Sequence, residues 1–315
     1  MKSKKIITLT MLSSIVGTTF FNSIPVFADE LSDSNKHVVA IESNENDLNQ
    51  IINIPDMNLK AYINAALHHE ATAPITQKDA DSITKLEIDD NVFMPVRDLQ
   101  GISQLHNLKE FYFYDQSSES DKVKNLNEIG KLNNLETLIF SSLSDNLDFL
   151  KENKSIKCLM LYMPNLENLS ALTGTSIKEL SLFQCYKLTD ISALTQIKSL
   201  GWVQINDLPF SESNCDIIKT LILHDVRITL PSNWASQILK SEINSAQLQI
   251  MSPTHYYTQD SLDKLILAIK ECESLLNDSS FPLEQLNKSI KDIQEARNGL
   301  ISINKPSIPG QRPRF

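Results

Sequence analysis

The chain has 315 residues, 41% of them hydrophobic and 22% charged, a composition that folds around an ordinary core and needs no disulfides to hold it. A formal charge of −10 repels phosphate backbones and anionic lipid, which argues against nucleic acid as a partner. Four cysteines (Cys158, Cys185, Cys215, Cys272) lack the close spacing of zinc or redox pairs, and seven glycines leave little room for a phosphate-binding loop.

Lys2, Lys4 and Lys5 precede an apolar run from Ile6 to about Phe21, and Val26-Phe27-Ala28 stands just before Asp29-Glu30. That order reads as a secretory signal peptide over residues 1–28, its apolar part too short for a retained transmembrane anchor. Removing it takes away three lysines and no acids, so the charge moves from −10 to −13. Residues 29–50 read as a disordered acidic linker. Over 51–82 a helical cap is predicted. Asp56 can cap a helix with Leu59, Tyr62, Ile63, Ala66 and Leu67 on one face, and Thr76 with Asp79 resembles a capping box for a second. His68-His69-Glu70 lacks the helical spacing that sets two histidines on one metal.

Residues 83–250 are organised by an apolar-x-x-apolar-x-apolar pattern found seven times: Ile83/Leu86/Ile88, Leu108/Phe111/Phe113, Leu135/Leu138/Phe140, Ile156/Leu159/Leu161, Ile177/Leu180/Leu182, Leu200/Val203/Ile205 and Ile218/Leu221/Leu223. The starts lie about 18 to 27 residues apart, close to the leucine-rich-repeat period. A second apolar set, clearest from Leu188 to Ile197, marks a tight return after each strand. No unit buries its apolar edge alone, so the units stack into one core, an α/β solenoid with a parallel sheet on its concave face. Ile243 to Ile250 alternates loosely and is predicted to close it.

Successive side chains on a strand face opposite ways, so residues between the core positions line the concave face. The first strand offers charges there, whereas the middle gathers Tyr112, Tyr114, Ile139, Met160, Tyr162, Phe183 and Trp202, with Gln204 and His224 beyond. Aromatic and Met side chains on one face have the composition of a protein-binding hot spot. The competing reading is wall or host carbohydrate stacked on the tyrosines and Trp202. Ile139, Met160 and Phe183 between the aromatics favour an apolar protein contact instead. Cys158 falls on the same face, while Cys185 and Cys215 take core positions.

Residues 251–303 change to a helical period, Leu262/Leu265/Ile269/Cys272/Leu276 and Leu283/Leu286/Ile290/Ile293/Leu300, which predicts an antiparallel hairpin with Pro282 at the second helix start. Residues 304–315, with Arg312 and Arg314 among prolines, read as a disordered tail without a wall-sorting motif. The expected location is therefore extracellular. No nucleophile, paired-carboxylate or cofactor signature is present, so no enzyme activity, cofactor or metal is expected.

Ile52-Asn53-Ile54-Pro55-Asp56-Met57-Asn58-Leu59, Thr76 to Leu86 and Leu188-Thr189-Asp190-Ile191-Ser192-Ala193-Leu194 resemble the helical cap and repeats of internalins over about residues 50 to 230. The resemblance implies a concave sheet that binds host-cell proteins, an adhesin or effector with a role in virulence, acting as a monomer. The family's Asn position after each strand reads Asn91, Gln116, Leu143, Pro164, Cys185, Leu208 and Val226, so the turns depart from its pattern. Tyr257 to Leu262 and Glu295 to Leu300 are similar to the ends of the later two helices of FIVAR modules, which implies a stalk or terminal cap.

Overall fold

The computed structural model describes residues 48–89, 95–115, 122–209, 211–251, 256–277 and 282–303. The expected signal peptide, the linker up to residue 47, the turn positions Asn91 and Gln116, and segment 304–315 lie outside them.

Among the described residues two helices precede the sheet, α1 (Met57–Ala66) and α2 (Gln77–Ser82). Asp56 caps α1: one carboxylate oxygen accepts from the Asn58 and Leu59 amides at 2.8 and 3.0 Å. Its other oxygen accepts from the Arg97 and Asp98 amides at 2.9 and 3.0 Å, which ties the helix start to the first return loop. Thr76 and Asp79 form a reciprocal capping box on α2, and these bonds hold the Asp79 carboxyl below its ordinary value. Helix α1 packs on the first strand through Leu59, Tyr62 and Ile63.

Seven parallel strands then follow in chain order: β1 (Lys85–Asp89), β2 (Glu110–Tyr114), β3 (Thr137–Ser141), β4 (Cys158–Tyr162), β5 (Glu179–Phe183), β6 (Trp202–Ile205) and β7 (Arg227–Thr229). Each strand pairs only with its neighbours in sequence, the order produced when every crossover advances the chain by one strand. That is an α/β solenoid. The returns between strands are 3-10 turns at Ile102–Gln104, Asp148–Leu150, Ser170–Leu172 and Ser192–Gln196, and a single helical turn, α3 (Asn127–Gly130). They are tight: a Cβ on Gly130 would lie 2.1 Å from the Phe149 carbonyl oxygen, so neighbouring returns touch backbone to backbone.

The register runs in phase across the sheet. Leu86, Phe111, Leu138, Leu159, Leu180, Val203 and Ile228 form one buried row, and Ile88, Phe113, Phe140, Leu161, Leu182 and Ile205 a second. Within them Phe113 and Phe140 stack at 5.6 Å between ring centroids, and Phe149 from the next return meets Phe140 at 5.1 Å. At about 1.5 to 3 kcal/mol per buried side chain these rows dominate the folding free energy. A polar residue just ahead of four of the strands, β2, β3, β4 and β6, stitches each to the unit before. Asn107 donates to the Asp81 carbonyl, Asn134 to His106, Ser155 to Leu132 and Ser199 to Ile177, at 2.7 to 3.2 Å. These bonds lie ahead of the strands, whereas the family's Asn position lies after them.

Two sequence expectations are overturned. The segment assigned as the seventh strand, Ile218/Leu221/Leu223, is helix α4 (Glu212–Leu223). Ser211 caps it by accepting from the Asn214 amide at 3.2 Å, and Ile218, Leu221 and Ile222 turn inward at helical spacing. Strand β7 lies further on, with Val226 and Ile228 in the core. Ile243 to Ile250 likewise is not a closing strand. It lies in α5 (Ser232–Met251), where Ile238, Leu239, Ile243 and Ala246 are buried three and four apart, so the sheet ends at β7 and not at residue 250.

Helices α5, α6 (Gln259–Leu276) and α7 (Leu283–Asn298) pack all against one another, so the expected hairpin of the last two is part of a three-helix bundle. Its core residues Leu265, Ile269, Leu286, Ile290 and Ile293 are continuous with the core of the solenoid. Buried charges span the join. The Glu242 carboxylate of α5, 3% exposed, accepts from Lys219 of α4 at 3.1 Å and from Arg297 of α7 at 2.9 Å. Arg297 also donates to Gln249 at 2.8 Å, and Lys219 pairs with Asp216. A bundle fixed by shared core and charge is part of the solenoid body, not a stalk hung from it.

Candidate functional site: the outer face of the sheet

With the core rows fixed, the first, third and fifth residues of each strand stand on the outer face, and the register sorts them into three rows. The first runs Lys85, Glu110, Thr137, Cys158, Glu179, Trp202, Arg227. The middle row is Glu87, Tyr112, Ile139, Met160, Ser181, Gln204, Thr229, and the third is Asp89, Tyr114, Ser141, Tyr162, Phe183.

Six of the residues singled out from the sequence are thereby brought together on β2 to β5. Tyr112, Ile139 and Met160 are side by side in the middle row, with Tyr114, Tyr162 and Phe183 along its flank. All six are half-buried. Tyr162 and Phe183 stack at 4.9 Å with an 11° angle between rings, a cross-strand pair made possible by the shared register. Trp202 is placed in the first row between Glu179 and Arg227, four residues along the strand from the Tyr162 and Phe183 row. Gln204 follows it in the middle row beside the buried Ser181. His224 is not on this face: it ends α4, exposed, and with Lys198 and Thr220 it lines a separate pocket among the returns. Arg227 and Thr229 hold the β7 places on this face.

The interval could have revealed this error. From Leu200 to Ile218 is 18 residues, short of the repeat range of about 20 to 29. Leu223/Val226/Ile228 restores 23 residues.

Polar tips on the face are engaged by neighbours. Tyr112 donates to Glu110 at 2.8 Å, Tyr162 to the Met160 sulfur at 3.4 Å and the Trp202 indole to Thr229 at 3.2 Å, while the Lys85 ammonium lies 4.5 Å over the Tyr112 ring. Burial, helped by the Glu110 bond, pushes the Tyr112 hydroxyl up to about 12. Burial raises Tyr114 and Tyr162 also, with Glu87 adding to it at Tyr114. The phenols therefore stay neutral across the physiological range and present rings, not charge.

Thiol chemistry is disfavoured in the same way. Burial and Glu179 push the Cys158 thiol up, and burial raises Cys185 to about 11 and lifts Cys215 and Cys272. None has the depressed value of a nucleophilic cysteine. Among the described residues no cluster of His, Cys, Asp and Glu is arranged to hold a metal ion. No described helix is long and apolar enough to cross a membrane.

Internalins are similar to the chain. An internalin (inlF) from Listeria monocytogenes is 19% identical, with a TM-score of 0.37 over 58% of this chain and 58% of that one. An internalin C2 (inlC2) from the same species is 20% identical, with a TM-score of 0.32 over 59% of this chain and 96% of that one. The structure of the CBM51-2 and INT domains from Clostridium perfringens ZmpB is 34% identical over 30% of this chain and 18% of that one, with a TM-score of 0.25. The chain thus spans little more than half of the first of these structures and under a fifth of the last. No family model matches the chain, and no curated protein is significantly similar to it.

Proposed function

We propose that the protein is an exported, internalin-like adhesin or effector that binds another protein, of a host, through the outer face of its sheet, and that it is not an enzyme. One observation carries the reading: the contiguous cluster of Tyr112, Tyr114, Ile139, Met160, Tyr162 and Phe183 on four adjacent strands. Their side chains contribute nothing to the core rows, yet they are large, apolar and fixed in place by the backbone ladder beneath. Rigid aromatic side chains lose little entropy on binding, and with Ile and Met beside them they exclude water well, the attributes of an interface hot spot. The engaged tips of Tyr112, Tyr162 and Trp202 favour an apolar protein surface over sugar rings, whose hydroxyls need polar partners still open to them.

The test is capture from host-cell surface and cytosolic proteins by residues 29–315, beside a Tyr114→Ala/Tyr162→Ala/Phe183→Ala variant and a purified cell-wall glycan. The expected result is a host protein retained by the natural sequence and lost with the variant, whose circular dichroism is unchanged. Retention of glycan alone, or equal retention by both proteins, would remove the reading.

A further inference from the structure

On the side of the bundle away from α5, helices α6 and α7 leave a groove of about 380 Å³. Ala268 and Ala296 form its apolar floor, and Leu267, 58% exposed, stands at its rim. Glu271, Asp292 and Glu295 line it, and among the described residues none of their three carboxylates makes an ion pair or a hydrogen bond. The cation among its described lining residues, Lys264, is 2.9 Å from Asp260 on its own helix. The groove therefore combines uncovered apolar surface with uncompensated negative charge.

We propose that this groove seats residues 304–315 of the same chain. That segment carries Lys305, Arg312 and Arg314 and no acid, in a chain whose formal charge is −10, and it offers Ile308 and Phe315 for the apolar floor. It also starts in the right place. The Ile301 amide donates to Ser261 at 3.2 Å and the Ile303 amide to the Tyr256 carbonyl at 2.8 Å, which leaves the chain at the start of α6, about one turn from Lys264. Twelve extended residues reach about 40 Å, against roughly 10 Å for the stretch of helix from Lys264 to Glu271. A tether this short keeps the segment at an effective concentration in the millimolar range, so weak contacts suffice. A second copy of the chain is a poorer occupant, because eight residues line the groove and a stable interface draws on about 20 to 30 from each partner. The contact is independent of the outer face of the sheet.

A photoreactive benzoylphenylalanine in place of Ile308, in the full chain, tests the proposal. Irradiation is expected to give intramolecular cross-links that map to Lys264–Glu271 or Asp292–Gly299. They should fall at least tenfold in a Glu271→Gln/Asp292→Asn/Glu295→Gln variant that keeps its circular dichroism. Cross-links spread over other surfaces, no cross-link at all, equal yield in the variant, or a concentration-dependent product of doubled mass would each overturn it, the last by making a second copy the occupant.

Discussion

The sheet and the helical bundle close apolar surface in different ways. In the sheet, core residues recur in the same rows from strand to strand, and the backbone ladder sets their positions, so the outer residues are released from any duty to hold the fold. In the bundle, the join to the solenoid runs through one buried carboxylate shared by Lys219 and Arg297, and the side chains themselves set the geometry. The difference teaches where change is tolerated. Outer-face residues can be exchanged for function at little cost in stability, and junction residues cannot.

The sharpest way to break that contrast is Glu242→Ala. It leaves two cations facing a buried gap, and loss of one partner from such a network costs about 3 to 5 kcal/mol. Denaturant unfolding followed by circular dichroism should show a midpoint lowered accordingly; a change below about 1 kcal/mol would mean that the join does not depend on these charges. Asp56→Ala comes next. It strips a helix cap and two loop amides of their acceptor, for an expected loss of about 2 kcal/mol in the same measurement. Tyr162→Ala on the outer face should cost less, about 1 kcal/mol, chiefly the stacking against Phe183.

How much of this could be read from the amino acids follows the same division. Six of the seven strands were legible because a period of fixed spacing leaves its mark in sequence, and Leu86, Phe111 and Leu138 occupy equivalent places in successive units. The seventh failed because Ile218-x-x-Leu221 is also one turn of a helix, and two apolar residues three apart do not choose between the forms. Placement of Tyr112 to Phe183 on one face followed from alternation alone. Their grouping into rows needed the register, which set Trp202 apart from the Tyr162 and Phe183 stack, and the engaged hydroxyls depended on side-chain torsions that no pattern encodes. The join was illegible for another reason: Lys219, Glu242 and Arg297 lie on three helices far apart in the chain, and nothing local in each announces the others.

The smallest predicted effect sharpens the outer-face side of the comparison. The Tyr112 hydroxyl titrates near 10 in the unfolded chain and at about 12 in the folded one. The folded state therefore holds the extra proton between these values, and the stability it contributes is complete below pH 10 and is lost as pH rises through about 12. Difference absorbance of the phenolate band should show a late step in the natural protein that is missing in Tyr112→Phe. Identical curves would place Tyr112 in ordinary solvent.

The central claim, that β2 to β5 present the contact surface, is tested most directly by an alanine scan across the outer face against the partner captured by the intact protein, with dissociation constants measured for each variant. The account predicts losses of about thirtyfold or more at two or three of Tyr114, Met160, Tyr162 and Phe183, and losses within about fivefold at Lys85, Glu87 and Arg227. Losses confined to β1, β7 or the bundle, with Tyr162→Ala and Phe183→Ala binding like the natural protein, would contradict it.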